Sequence, residues 1–282
     1  MTLTLFAPAK LNLTLEVLGR RGDGYHEIRS IIQAVSLGDR LTFSPGVTIS
    51  FVCDQPAWRA DMSLVSRAAA LMARECGGRD GALITISKGI PLASGLGGDS
   101  SDAASVLRGL ATLWQKEIPP ERLGELAAGL GSDVPFFLSG GTALAQGRGE
   151  MVTPLPAPAG QWLVIMTPDI PRPPSKTATL YARLGAANYT SGAFTASLAE
   201  DIACGVGVTE ERLYNVFHGA AYDVFPDLAR YHRDILAAGA SRVHLAGAGP
   251  SLFSLHASRE EAEAVISRLQ GKPAFLAETL PA

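Results

Sequence analysis

The sequence predicts an α+β protein of two domains. Strand-like alternation and helical periodicity are mixed along the chain without a strict βαβα rhythm, which separates it from doubly wound α/β folds. At roughly 150 residues per domain, 282 residues point to two cores. The boundary is expected near residue 155, giving domains 1–155 and 156–282, because Thr153–Gly160 carries three prolines and a glycine.

Thr2–Phe6 and Asn12–Val17 alternate apolar and polar residues and read as strands. The turn Gly19–Gly24 is too glycine-rich for regular structure. Strand signals continue at Ile28–Val35, Arg40–Phe43 and Val47–Val52. Ser63–Glu75 sets Leu64, Val65, Ala68, Leu71 and Met72 on one helical face, and Gly77-Gly78 stops it. Ala82–Ser87 is a strand running into a glycine loop, after which Ser101–Trp114 repeats apolar residues at helical spacing. Pro119-Pro120 opens a helix to Leu130, with Gly131 suited to its C′ position. Trp162–Met166 reads as a strand, Pro168–Pro174 as a turn, and Lys176–Leu184, Glu210–Phe217 and Asp227–Ala237 as helices. Val243–Leu245 and Leu252–Leu255 flank Gly247–Ser251 as two strands around a tight loop. Ser258 and Glu261 form a capping box before a last helix, and Ala274–Ala277 reads as a closing strand.

Composition excludes several classes. With 47% hydrophobic and 18% charged residues the chain carries no disorder signature. A net charge of −3 and the absence of a Lys/Arg run argue against a nucleic-acid partner. No window approaches the ~18–20 apolar residues of a membrane helix. Pro8, Lys10 and Asn12 interrupt any signal-peptide core. A cytoplasmic protein, monomeric or weakly homodimeric, is the expectation. Cys53, Cys76 and Cys204 form no CxxC pair and read as reduced, mostly buried thiols. His218, His232, His244 and His256 show no metal or triad spacing and read as structural or surface residues.

The chemistry is most legible at Lys88–Ala104, KGIPLASGLGGDSSDAA. Gly95, Gly97 and Gly98 permit positive φ and close backbone approach to an anion. Their N–H groups suit a phosphate nest, and the N-terminus of the following helix points its partial positive charge at the same place. Ser100 and Ser101 add hydroxyls for phosphate oxygens or a magnesium shell. The loop is no Walker A motif, since no Gly-Lys-Ser/Thr follows. It is no Rossmann fingerprint either, since the third glycine is missing. A bare GxGG is more often an ordinary capped turn; Pro91, the paired serines and the small-residue helix start tip the reading to phosphate binding.

This loop resembles the hallmark of the GHMP kinases, in which it wraps the ATP triphosphate. Pro8-Ala-Lys-Leu-Asn-Leu13 and Gly247-Ala-Gly-Pro-Ser251 are similar to that family's first and third motifs, so the resemblance runs from residue 8 to residue 251. It implies a ribosomal-protein-S5-like N-terminal domain, a ferredoxin-like C-terminal domain, and ATP with Mg2+ as cofactors, the metal ligands being unassigned. ATP contacts are then expected from Lys88, Pro91, Gly95, Leu96, Gly97, Gly98, Ser100 and Ser101. Arg21-x-Asp23-Gly-Tyr25-His26, Gly131-Ser-Asp133-Val-Pro-Phe-Phe137 and Gly147-Arg-Gly149-Glu150 look like one branch of the family. That branch phosphorylates the 2-hydroxyl of a cytidine-diphosphate-linked sugar alcohol in the non-mevalonate isoprenoid precursor pathway, by direct in-line transfer.

By the same resemblance Lys10 and Asp133 are the catalytic pair. Asp133 accepts the hydroxyl's proton or only orients that hydroxyl, and Lys10 stabilises the transferring phosphoryl group. Asn12, Tyr25, His26, Thr177 and Tyr181 are expected to bind the cytidylated substrate. Tyr25 and Tyr181 would stack on cytosine and His26 read its edge, though Tyr181 also suits a plain core aromatic. Three positions depart from the family pattern. Asp99 stands for a glycine or serine, and either caps its own helix or helps hold magnesium; the cap is the preferred reading. Ser63 stands for an asparagine, and Asn215-Val-Phe-His218 lacks an acidic residue.

Overall fold

The computed structural model describes residues 2–78, 80–173 and 175–281. The chain begins with β1 (Leu3–Arg20), β2 (His26–Gly46) and β3 (Ile49–Cys53), followed by α1 (Leu64–Glu75), β4 (Gly81–Ser87), α2 (Gly98–Leu113), α3 (Pro120–Leu130) and the short α4 (Phe136–Ser139). Then come β5 (Thr142–Gly147), β6 (Met151–Leu155), β7 (Trp162–Met166), α5 (Lys176–Tyr181), α6 (Ala193–Ala203), β8 (Tyr214–Asn215), α7 (His218–Val224) and α8 (Leu228–Ala237). The chain closes with β9 (His244–Leu245), β10 (Leu252–His256), α9 (Arg259–Arg268) and β11 (Ala274–Glu278).

The α+β reading stands, and the expected strand pairs at the N-terminus merge into two long strands. The expected helix over Glu210–Phe217 does not form. Glu210–Arg212 is a single 3-10 turn, and Tyr214–Asn215 is drawn into parallel pairing with Thr14–Leu15 of β1. Thr153–Leu155, assigned to a linker, belongs to β6. Pro174, the end of the expected proline turn, lies outside the described residues. Cys53 and Cys76 are half-buried and Cys204 exposed, so the expectation of mostly buried thiols is corrected; all three are free.

Two compact units interleave along the chain. The first holds the residues up to Ala9, Gly38–Leu92 and Gly97–Ser139. In it, Arg40–Gly46 of β2 runs antiparallel to β4, and β4 runs parallel to β3. Helices α1 and α2 pack on one another and bury Val65, Ala68, Met72, Val106, Leu107 and Leu110. Gly109 of α2 lies flat on the Phe43 ring, where a Cβ would come within 2.5 Å of the ring carbons. Ser63 caps α1, its hydroxyl accepting from the Val65 N–H.

Beneath the start of α2 lies a buried ion cluster. The Lys88 ammonium donates to Asp102 at 2.8 Å and to Asp39, and Asp39 also accepts the N–H groups of Gly89 and Ile90, each at 2.7 Å. Two carboxylates thus share one ammonium out of contact with water, fixing the end of β4 and the turn after it to α2. Burying a second carboxylate charge beside one ammonium is costly, which favours a proton on one of the two.

The second unit holds Lys10–Leu37, Ala93–Leu96 and the chain from Gly140. Here Ile28–Gln33 of β2 pairs with β5, and β5 with β6. A separate antiparallel sheet of order β11-β7-β10-β9 is covered by α9. Its core joins Val164, Met166, Phe217, Phe225, Leu245, Leu252 and Val265. Ser258 Oγ accepts from the Glu261 N–H, while the Glu261 carboxylate reaches past Ser258 to the Ala257 N–H, so the expected capping box closes one residue early. Among the described residues, no helix is long and apolar enough to cross a membrane.

The ion cluster has a pH signature. Burial raises the Asp102 carboxyl to about 8, with Asp39 adding to the rise and Lys88 opposing it. A free aspartate titrates near ~3.9, so between these values the folded chain holds a proton that the unfolded chain has lost. Stability from this group is therefore full in acid and falls as pH rises toward about 8. Asp102→Asn removes the titration: urea unfolding of wild type and variant from pH 5 to 9 should show the wild type losing ground as pH rises to about 8 and levelling beyond it.

Candidate active site

In the second unit the glycine loop meets the first motif by a backbone hydrogen bond and the third by a backbone approach that only glycine permits. The Lys10 N–H donates to the Leu96 carbonyl at 2.9 Å, and the Ser251 N–H to the Ser94 carbonyl at 3.2 Å. Gly95 sits at φ +90, and a Cβ there would lie 2.7 Å from the Gly249 carbonyl and 2.8 Å from that of Ala246. Gly247, at φ +54, would bring a Cβ within 3.0 Å of the Gly95 carbonyl and 3.2 Å of Asn12 Oδ1. Asn215 buttresses the far side, its amide donating to the Leu245 and Gly247 carbonyls at 2.9 Å each.

Lys10 and Asn12 alternate on β1 and so face the same way, as expected. Both are 5% exposed. The Lys10 ammonium donates to Asn12 Oδ1 at 2.7 Å, and the Asn12 amide to Ser30 Oγ at 2.7 Å. Ser30 Oγ in turn donates to the Thr14 carbonyl. This chain fixes the Asn12 amide orientation and holds the ammonium against the glycine loop, 3.5 Å from where a Gly247 Cβ would be.

A residue that no motif had signalled joins them. Lys176, the first residue of α5, donates its ammonium to the Gly249 carbonyl, the same oxygen that abuts Gly95. Burial, then Arg172, then Lys10 push its pKa down to about 8.

The expected substrate residues of this unit form an aromatic cluster. His26 stacks on Tyr181 with ring centroids 4.7 Å apart and planes at 20°, while Tyr189 meets His26 edge-on at 6.2 Å. Tyr181 also packs edge-on against the buried Phe217 at 4.8 Å. Burial, with Arg20 adding to it, lowers the His26 pKa, so the ring is neutral at pH 7 and keeps both a donor and an acceptor. Tyr25 is 55% exposed, with the Arg148 guanidinium 4.8 Å above its ring. Asp23 shapes this turn by accepting the Tyr25 N–H at 3.0 Å. Arg21 joins Asp23 to Glu27, which accepts the Gly147 N–H at 3.2 Å. Thr177 is exposed on the first turn of α5.

In the first unit, Gly97 is the left-handed N-cap of α2 at φ +76 and Gly98 its first residue. A Cβ on Gly98 would press to 3.1 Å from the Ile90 side chain. In the second unit, Ala93 takes φ +52, a conformation that costs an L-residue roughly 1–2 kcal/mol and marks a segment held in one shape. Ser101 Oγ is buried and has no hydrogen-bond partner among the described residues. An unsatisfied hydroxyl on the first turn of a helix after a glycine nest fits an oxyanion or metal-bound phosphate as its missing partner. Asp133 is half-buried in the turn joining α3 to α4.

One expectation in this unit changes. Asp99 does not cap α2, whose N-cap is Gly97. Its carboxylate instead accepts the Ser63 hydroxyl and, at 2.9 Å, the Leu64 N–H, so it caps the neighbouring α1. The two departures from the family pattern, Ser63 and Asp99, are thus hydrogen-bonded to each other. Lys88 is 5% exposed and its ammonium lies between Asp39 and Asp102.

Comparison with known proteins agrees with this geometry. The family model for the GHMP kinases N terminal domain matches residues 63–141, and that for GHMP kinases C terminal matches residues 210–273. A protein of Dehalococcoides mccartyi named 4-diphosphocytidyl-2-C-methyl-D-erythritol kinase is 53% identical over 280 residues, covering 99% of this chain and 98% of its own. One of the same name from Symbiobacterium thermophilum is 41% identical, covering 96% and 98%. A crystal structure of 4-(cytidine 5'-diphospho)-2C-methyl-D-erythritol kinase superposes with a TM-score of 0.83 at 33% identity over 99% of this chain and all of that one. Homoserine kinase from Cytophaga hutchinsonii shares the fold, with a TM-score of 0.73 at 18% identity. With its glycine loop, its first and third motifs and its full-length relatives in accord, the chain belongs to the GHMP kinases.

Proposed function

We propose that this chain transfers the γ-phosphoryl group of ATP to the 2-hydroxyl of 4-diphosphocytidyl-2-C-methyl-D-erythritol, the step of the non-mevalonate isoprenoid precursor pathway for which its relatives are named. The observation that carries the reading is identity of 53% along 99% of the chain to a kinase of that name. The aromatic cluster at His26 and Tyr181 supports it, since stacked rings with a neutral imidazole suit a pyrimidine base. Residues 1–155 and 156–282 serve in this reading as the family's N- and C-terminal domains, and the two family-model matches fall inside them.

In-line phosphoryl transfer asks for alignment and charge stabilisation, and no covalent nucleophile. Lys10, locked by Asn12, offers a fixed ammonium to the transferring group. Asp133 orients the acceptor hydroxyl or takes its proton. Pro91, Gly95, Leu96, Gly97, Gly98, Ser100 and Ser101 serve the triphosphate, with the orphaned Ser101 hydroxyl the best-fitted single donor. Lys88 enters through its ion pairs, which anchor the turn before Pro91, and not as a phosphate ligand, because two carboxylates already occupy its ammonium. Mg2+ bound with ATP would neutralise phosphate charge; the carboxylate of Asp99 is engaged by α1 and is not needed for that task. Asn12, Tyr25, His26, Thr177 and Tyr181 recognise the cytidylated acceptor.

ADP release measured with Mg-ATP and four acceptors tests the assignment: the cytidine-diphosphate methylerythritol, its free sugar alcohol, homoserine and mevalonate. Turnover with the first alone is expected; turnover with homoserine or mevalonate in its place would sink the reading of Asp23–His26. Asp133→Asn should lower kcat by about 10²–10⁴-fold with little change in KM. A variant turning over at the wild-type rate would remove Asp133 from the mechanism.

A further inference from the structure

The third-motif loop carries a second ammonium group that the proposed function leaves unused. Gly249 presents its carbonyl oxygen to two neighbours: the Cα of Gly95, where a Cβ would lie 2.7 Å away, and the Lys176 ammonium. Two residues earlier, Gly247 would bring a Cβ within 3.5 Å of Lys10 Nζ. Lys10 from β1 and Lys176 from α5 therefore stand on the same short loop, one near Gly247 and the other on Gly249. Ser175, immediately before Lys176, adopts the left-handed conformation at φ +54, uncommon for a residue with a side chain. Such strain is tolerated where a neighbouring group must be held in one direction.

A lysine serving only as a staple would be expected to lie on the surface, or beside a carboxylate. This one is set within electrostatic reach of two further cations, Lys10 and Arg172, and burial and both charges work to drive off its proton. Each neighbouring cation raises the cost of the Lys176 charge, and an anion bound at the glycine-lined loop lowers it. We propose that Lys176 is a phosphate-binding residue of the kinase site, its ammonium leaving or sharing the Gly249 carbonyl to take a non-bridging phosphate oxygen beside Lys10. The inference rests on the kinase reading above. The oxygen belongs to the nucleotide polyphosphate or to the acceptor's own diphosphate, which present the same chemistry to an ammonium group.

The charge on Lys176 also sets a pH limit. Its neighbours are Lys10 on β1 and Arg172 in the preceding turn, with Asp169 acting on Arg172. Helix α7, packed on α5, carries His218, Tyr222 and the exposed Asp223; burial lowers His218 and raises Tyr222, leaving both neutral near pH 8. With its pKa near 8, Lys176 in the free enzyme loses charge as pH rises through that value, and kcat/KM should fall with it.

Three variants of unequal chemistry test this. Lys176→Met keeps the stem and removes the charge, and should lower kcat/KM by about 10–100-fold, the usual effect of losing a charged hydrogen bond. Lys176→Arg keeps a cation that does not titrate, and should retain more activity while shifting the alkaline limb upward by at least about one pH unit. Ala178→Ser, exposed on the same turn and given no part in the site, serves to show whether the helix start tolerates change. A raised KM for ATP alone assigns the oxygen to the nucleotide; a raised KM for the cytidylated acceptor alone assigns it to the acceptor's diphosphate. Calorimetric titration with inorganic pyrophosphate reads the site without turnover, and Lys176→Met should weaken it about tenfold. Folded Lys176→Met with wild-type kcat/KM and pyrophosphate affinity overturns the inference, as does Lys176→Arg with an unmoved alkaline limb. Wild type inactive on every acceptor counts against the kinase reading instead, and pyrophosphate binding then still decides Lys176.

Discussion

The candidate site depends on a contact that a single methyl group would forbid. Gly95 passes within 2.7 Å, measured from an added Cβ, of the Gly249 carbonyl, and Gly247 comes almost as close to the Gly95 carbonyl. Both glycines have positive φ, so the geometry excludes a side chain twice, by space and by backbone conformation. The other contacts of this corner of the second unit are arranged around this joint. The Lys10 N–H donates to the Leu96 carbonyl next to Gly95, and Asn12, held by Ser30, fixes the Lys10 ammonium near Gly247. Asn215 braces the loop from behind with two hydrogen bonds to its carbonyls. Close approach of bare backbone leaves room and N–H groups for phosphate oxygens, which is what a kinase with no Walker lysine must supply.

The first unit solves a different problem, that of fixing the start of α2 after β4. Charge is buried beneath it in the Lys88, Asp39 and Asp102 cluster, and Asp39 also holds the Gly89 and Ile90 N–H groups. Asp99 ties the first turn of α2 to the N-terminus of α1 through Ser63 and Leu64. Each of these acidic side chains sits close to a loop built for anions, yet each is turned to a donor outside it. An acidic side chain in such a loop is therefore compatible with phosphate binding when, like Asp99, it is engaged by other donors.

Much of this was legible in the sequence, and the exceptions share a cause. The glycine loop, the paired serines and Lys10-x-Asn12 are local patterns whose chemistry is set by spacing, and the strands and helices around them follow from periodicity. Glu210–Phe217 was misread as helical because Leu213, Val216 and Phe217 fit a helical stripe, while its fate was decided by parallel pairing with β1 some two hundred residues away. Asp99 looked like a cap for its own helix because no local signal shows that α1 begins beside it. Seen singly, Ser63 and Asp99 were departures from the family pattern; in space each supplies the other's partner. Lys176 had no motif around it, and only the fold brings it to Gly249. Side chains that act across distant segments leave little trace in local spacing.

The joint at Gly95 is also where the account is most exposed to test. The measurement is kcat/KM for Mg-ATP with the cytidylated acceptor in Gly95→Ala, beside Gly124→Ala, whose added Cβ meets nothing within 4 Å. The account predicts that Gly124→Ala behaves as wild type and that Gly95→Ala loses at least about a hundredfold, as expected when a positioning element is displaced. Gly95→Ala turning over at the wild-type rate would contradict it, since the loop would then form without the contact on which the site is built.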